Sequence, residues 1–292
     1  MFAGVFLGLV CLGLGALGYH MALTMLQPPP PLKLPEVATP PPATGSGGAG
    51  APSAHSRPPQ DSHSKSIASR PLGGQGSQRL SLACLSGGQG EQPAPAHPSN
   101  FGPRQTSDWQ GRPVASRPVL IVLHETVVDE AAALALFRSL RSNDAQQASY
   151  HVLIGRDGRR IRVVPDAARA FGAGDSDFQG MAVQLRAGLQ PSLNNIALHV
   201  SLVSPPDGAD GEGRSHSGYT AAQYGSLASQ IAQWQALYGI QANRVVTHQE
   251  VDRSGSRRDP RSFEWRRLGQ DLQSRWIACG GSALTADLGR LR

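Results

Sequence analysis

Three cysteines in 292 residues are too few for a disulfide scaffold, and positions 11, 84 and 279 lack the paired spacing of a zinc-finger framework. Cys11 lies in an apolar run. For Cys84 and Cys279 two readings stand, a bridge formed in an oxidising compartment or two inert thiols, because sequence carries no distance between them. Aromatic residues are only 5% of the chain and the arginines are dispersed. This argues against a nucleic-acid-binding protein, in which basic residues cluster with interleaved aromatics on one face. Lysine is almost missing, with Lys33 and Lys65 the only two, so arginine carries the formal charge of +6. That charge favours anionic partners without choosing among them, and an arginine-preferring genome accounts for it equally well.

Charge is also missing from Phe2 to Leu26. An uncharged apolar run of this length is long enough to cross the hydrocarbon core as a helix. No basic residue precedes it, so residues 1–26 read as an uncleaved membrane anchor rather than a cleaved signal segment. From 27 to 100 the chain is rich in Pro, Gly and Ser and poor in large apolar residues, the composition of a disordered linker. What remains is one folded domain at 101–280 and a short tail at 281–292.

Within that domain the run Val119-Leu120-Ile121-Val122-Leu123 suits a strand buried on both faces. Asp129 can cap a helix in which Ala133, Leu136, Phe137 and Leu140 share a face. Tyr150–Ile154 and Ile161–Val164, joined through Gly155-Arg156-Asp157-Gly158, read as a hairpin. Ile196–Val203 is a further strand. Thr220 opens a helix that Gly239 ends, Arg244–Thr247 is a last strand, and Phe263–Trp276 a closing helix. The expected fold is α/β, a mixed central β-sheet flanked by helices.

Three potential metal ligands stand at strand ends or in loops: His124 after the first strand, His248 after the last, and Asp259 beyond it. Two imidazoles and a carboxylate leave one tetrahedral position for water, as a catalytic zinc requires. On spacing alone the set is unspecific, since a lone histidine ending an apolar strand is more often a packed residue. The surrounding motifs are more telling. His124-Glu125-Thr126, Tyr150-His151-Val152-Leu153-Ile154 followed by Arg156-Asp157-Gly158, Arg169-Ala170-Phe171-Gly172-Ala173-Gly174, and His248 followed by Arg257-Arg258-Asp259-Pro260 occur in one order. Together they resemble the N-acetylmuramoyl-L-alanine amidases of the second type, over roughly residues 118–268.

The resemblance implies that His124, His248 and Asp259 bind Zn2+, and that the reaction is hydrolysis of the amide between N-acetylmuramic acid and L-alanine in peptidoglycan. Arg257 falls where many relatives carry a lysine, and it implies an electrostatic role at the oxyanion. Tyr150 matches a tyrosine of some relatives. His199 is aligned with a glutamate of others, and both rank as candidate acid/base groups. Relatives often read Trp-His-Ala-Gly where this chain has Phe171-Gly172-Ala173-Gly174. The loop 249–258 is one residue longer than the family pattern, which leaves Asp252 as a fallback ligand, and residues 205–213 read as an inserted surface loop. An enzyme is the first reading; a peptidoglycan-binding module of the same fold without catalysis is the alternative. Either substrate implies a catalytic domain on the periplasmic or external side of a bacterial inner membrane, or a secreted protein if residues 1–26 are removed.

Overall fold

A computed structural model describes residues 81–209, 211 and 213–281. The apolar segment 1–26, the linker up to residue 80 and the tail from 282 onward lie outside the described residues. Among the described residues no helix is long and apolar enough to cross a membrane. The expected inner-membrane anchoring of a periplasmic domain is therefore not supported.

Among the described residues eight strands are formed: β1 (Gln92–Pro93), β2 (Phe101–Pro103), β3 (Leu120–Glu125), β4 (Val152–Ile154), β5 (Arg160–Arg162), β6 (Ala168–Ala170), β7 (Ala197–Leu202) and β8 (Val245–Thr247). The helices are α1 (Leu82–Leu85), α2 (Glu130–Arg138), α3 (Ala221–Tyr238), α4 (His248–Val251) and α5 (Trp265–Ala278). Six strands make one mixed sheet in the order β1-β5-β4-β7-β3-β8, in which only the β4–β5 hairpin is antiparallel. β2 and β6 form a separate antiparallel pair.

Local chemistry explains the element ends. The Asp129 carboxylate accepts from the Ala132 amide at 2.7 Å and caps α2. Thr220 and Gln223 form a capping box on α3, and Gly239 closes that helix in the left-handed region at φ 70°. In the hairpin turn Gly158 has φ +84°, and a Cβ there would meet the Ala222 carbonyl oxygen at 2.7 Å. Only glycine fits both the turn and the helix packed over it.

Alternation along the buried strands sorts their side chains onto two faces. Ile121, Leu123, Leu198 and Val200 pack against Leu227, Ile231, Trp234, Leu268 and Leu272 of α3 and α5. On the other face, Leu153 and Ile161 meet Ala133 and Phe137 of α2. His124 lies on this second face. Each such buried aliphatic side chain contributes about 1.5–3 kcal/mol.

Glu125, one residue on, points to the helical face and is the centre of a buried polar node. Its carboxylate accepts from the Arg261 Nε at 2.6 Å and the Arg261 amide at 3.0 Å. It accepts also from Ser204 at 3.0 Å, Tyr219 at 3.2 Å and His216 Nε2 at 3.0 Å. Nδ1 of His216 accepts from the Gly218 amide at 3.0 Å, which leaves Nε2 as the donor toward Glu125. The node thus clips the loop that follows β7 and the segment after Asp259 onto the end of β3.

The segment 81–100, assigned by composition to the linker, folds onto the domain. β1 extends the sheet beside β5, and buried Arg160 donates to the carbonyls of Ser86 and Gln89 and to the side chains of Gln230 and Gln233. Cys84 and Cys279 are joined in a disulfide across 195 residues of sequence, so of the two readings the bridge holds.

Two stability predictions follow from these ties. The double replacement of Cys84 and Cys279 by Ser should lower the unfolding free energy by up to about 5 kcal/mol, the chain-entropy limit for so long a loop. Reductant should reproduce the shift in wild type and leave the variant unchanged in thermal melts. Glu125→Gln removes a buried carboxylate that accepts from Arg261, Ser204 and Tyr219 and should cost roughly 3 kcal/mol in denaturant unfolding. A change below 1 kcal/mol would mean that Arg261 does not depend on this partner.

Candidate metal centre

His124 is the fifth residue of β3, and His248 directly follows β8. These strands are parallel neighbours with Leu123 level with Thr247. The residues one step beyond therefore come side by side, with ring centroids 4.6 Å apart. Thr247 and Glu250 form a capping box that turns the chain into α4 at that point and fixes how His248 leaves the strand. Asp259 arrives from the loop after α4, ahead of a cis bond to Pro260, and its carbonyl accepts from the Gln249 amide at 3.0 Å.

The Asp259 carboxylate lies between the two imidazoles. Its Oδ2 is 3.2 Å from Nδ1 of His124 and 3.1 Å from Nδ1 of His248. The three ligand atoms all lie within 4.8 Å of one another. Asp252, the fallback ligand, is used elsewhere: its carboxylate accepts from the Arg257 amide at 2.8 Å and from Ser254, which shapes the 252–257 loop.

Electrostatics suit the same atoms to a cation. Burial lowers the His124 pKa to about 4, against the raising effect of Asp259, so the ring is neutral near pH 7 with a lone pair to give. For Asp259 burial acts to raise the pKa, but hydrogen bonds from His124 and His248 outweigh it and hold the carboxyl well below the usual range. The neutral His124 imidazole, a second imidazole nitrogen from His248 and the ionised Asp259 carboxylate make a donor set that suits a divalent transition metal, with room for a further ligand.

Around this set stand the other candidates. The Tyr150 ring is 4.6 Å from that of His124. Burial, then the Asp259 charge, pushes its hydroxyl well above the ordinary value. Arg257 is exposed at the mouth, and its charge acts on both His124 and Tyr150. His199 is fully buried, with Nδ1 3.0 Å from Nε2 of His124. The β7 residue level with His124 is Ser201, whereas His199 is level with Val122. Residues 199 and 201 share a face of the strand, so alternation alone could not separate them.

Sequence reasoning missed the buried supports. Arg104 donates to the carbonyls of Asp166, Asn195 and Ala197 beneath the site, where burial lowers its pKa to about 10. The Glu125–Arg261 pair was also missed; the available signal was that each residue lies within two positions of a ligand.

Comparison with known proteins shows the family of the chain. A family model described as N-acetylmuramoyl-L-alanine amidase matches residues 114–262. The 1,6-anhydro-N-acetylmuramyl-L-alanine amidase AmpD of Salmonella typhimurium is 26% identical over an alignment of 171 residues, and the match covers 54% of this chain and 82% of the relative. Among solved structures, a selenomethionine derivative of AmpD has a TM-score of 0.44 at 23% identity, covering 62% of this chain and 94% of that one. AmiD from E. coli, solved with anhydro-N-acetylmuramic acid-L-Ala-D-gamma-Glu-L-Lys, has a TM-score of 0.42 at 21% identity, covering 60% and 66%. The family match spans β3 to the Asp259 loop and includes His124, His248 and Asp259. The chain belongs to the N-acetylmuramoyl-L-alanine amidase family.

Proposed function

We propose that the protein hydrolyses the amide bond between the lactyl group of N-acetylmuramic acid and L-alanine in bacterial peptidoglycan, using zinc held by His124, His248 and Asp259. The observation that carries this reading is the convergence of three ligands from separate segments, in a chain of this family. The substrate is a glycan strand carrying a stem peptide, and both parts contribute to binding.

Held by His124, His248 and Asp259, zinc would supply Lewis acidity for the scissile carbonyl and for an attacking water. The remaining tasks fall to side chains. Asp259 stays ionised and His124 neutral at working pH, so both are ready to ligate without first losing a proton. Tyr150 remains protonated and donates a hydrogen bond beside the reacting carbonyl. Arg257 offers fixed positive charge where the oxyanion develops; arginine does not exchange its proton, so its contribution is electrostatic. His199 is fully buried behind His124, and its part in the reaction runs through that ligand rather than through the water.

The test is mass spectrometry of purified peptidoglycan and of soluble anhydro-muropeptides after incubation with the full chain, with chelator, and with zinc restored. Release of intact stem peptides beginning at L-alanine, abolished by chelator and recovered with zinc, is expected. Zinc retention without release from either substrate would replace the amidase by the binding-module reading. His124→Ala and Asp259→Ala should lose zinc and hydrolysis together, and undiminished activity in either would remove the ligand assignment. Tyr150→Phe and Arg257→Ala should each lower kcat by roughly 10- to 1000-fold with zinc still bound.

A further inference from the structure

Within the proposed metalloenzyme, the geometry points to His199 as the positioning residue for His124: it accepts the Nε2 proton of that ligand, and Gly172 is the residue that makes room for it. The inference rests on the metal-site reading of His124.

The argument begins with proton placement. Nδ1 of His124 faces Asp259 at 3.2 Å; on metal binding the hydrogen bond it makes there would give way, and this is the nitrogen whose lone pair the metal would use. A neutral imidazole ligating through Nδ1 carries its proton on Nε2. That nitrogen is 3.0 Å from Nδ1 of His199, which must then accept. The proton of His199 is thereby assigned to its own Nε2. This atom is buried and has no hydrogen-bond partner. An unsatisfied buried donor costs about 1–3 kcal/mol. A leucine or phenylalanine would fill the space without that cost, so packing alone does not account for the histidine.

Backbone hydrogen bonds to His151 and two contacts on the ring then fix His199. The His199 amide donates to Nδ1 of His151 at 2.9 Å, and the His151 amide donates back to the His199 carbonyl at 2.9 Å. The two imidazoles stack at 12° with centroids 5.8 Å apart. Gly172 covers the other side: a Cβ at that position would stand 2.6 Å from both Cγ and Nδ1 of His199. Any side chain at 172 would push the accepting nitrogen away from His124. Gly172 has no positive φ to explain it, which leaves close approach as its role. A ligand imidazole held through its second nitrogen keeps tautomer and orientation, and loss of such a partner typically weakens metal affinity 10- to 100-fold.

Zinc affinity, measured by competition with a chromophoric chelator, and the visible spectrum of the cobalt(II)-substituted protein test this without reference to peptidoglycan. His199→Leu keeps bulk and removes the acceptor; it should weaken zinc binding 10- to 100-fold and alter the cobalt bands. His199→Asn places its amide oxygen near the original Nδ1 and should recover affinity to within about threefold of wild type. Gly172→Ala should mimic the leucine variant although it touches no ligand. Circular dichroism and thermal melts establish that each variant is folded, and if the leucine variant does not fold, the Asn and Gly172→Ala pair decides. Wild-type affinity and spectrum in a folded His199→Leu or Gly172→Ala protein would overturn the inference, as would an Asn variant no better than leucine. Zinc binding that depends on His199 in a protein that releases no stem peptide would leave this inference standing and remove the amidase reading.

Discussion

The parallel pairing of β3 with β8 is the constraint on which the site depends. Neither His124 nor His248 is brought to the other by its own neighbours in sequence. They meet because two short apolar strands run in the same direction with Leu123 level with Thr247, one residue before each histidine. The sheet is held by burial on both faces, and the hydrogen-bond register converts that non-specific force into a fixed separation between two imidazoles. Asp259 has no strand to deliver it. Its loop is located instead by the backbone contact to Gln249 and by Arg261, two residues on, anchored in the carboxylate of Glu125. One ligand is thus placed from each of two strand ends and the third by a buried ion pair that starts from one of those same strands.

Much of this was legible in the residues themselves. The strands at β3 and β7, the hairpin, and the long helix with its Thr220 cap and Gly239 terminator carry strong periodic or capping signals, and they form where those signals stand. The grouping of His124, His248 and Asp259 was legible only through four motifs in register, since 124 residues separate the two histidines. What sequence could not show depends on three-dimensional register. β1, β2 and β6 are only two or three residues long. Strands so short leave no measurable alternation. The Pro- and Gly-rich composition of residues 81–100 hides a segment held by a buried arginine and a disulfide rather than by apolar periodicity.

The assignment of His199 shows a subtler limit. A two-residue difference along a strand preserves the face, so 199 and 201 both point toward the site, yet they sit at different depths. Pattern arguments resolve direction well and depth poorly. The glycine at 172 is the reciprocal case: in sequence it is a missing imidazole, and in space it is the opening through which another imidazole reaches the ligand.

The bond between Cys84 and Cys279 has a mechanical consequence. It fastens the first described helix to the end of the last one, so that the strands and the ligand loops all lie inside a single covalent ring. Tension applied between the chain before residue 84 and the chain after residue 279 would pass through that bond. It would bypass the hydrogen bonds between β3 and β8, and the cluster of His124, His248 and Asp259 would be relieved of load. Under reducing conditions the same pull would run through every strand in series and reach those three side chains directly.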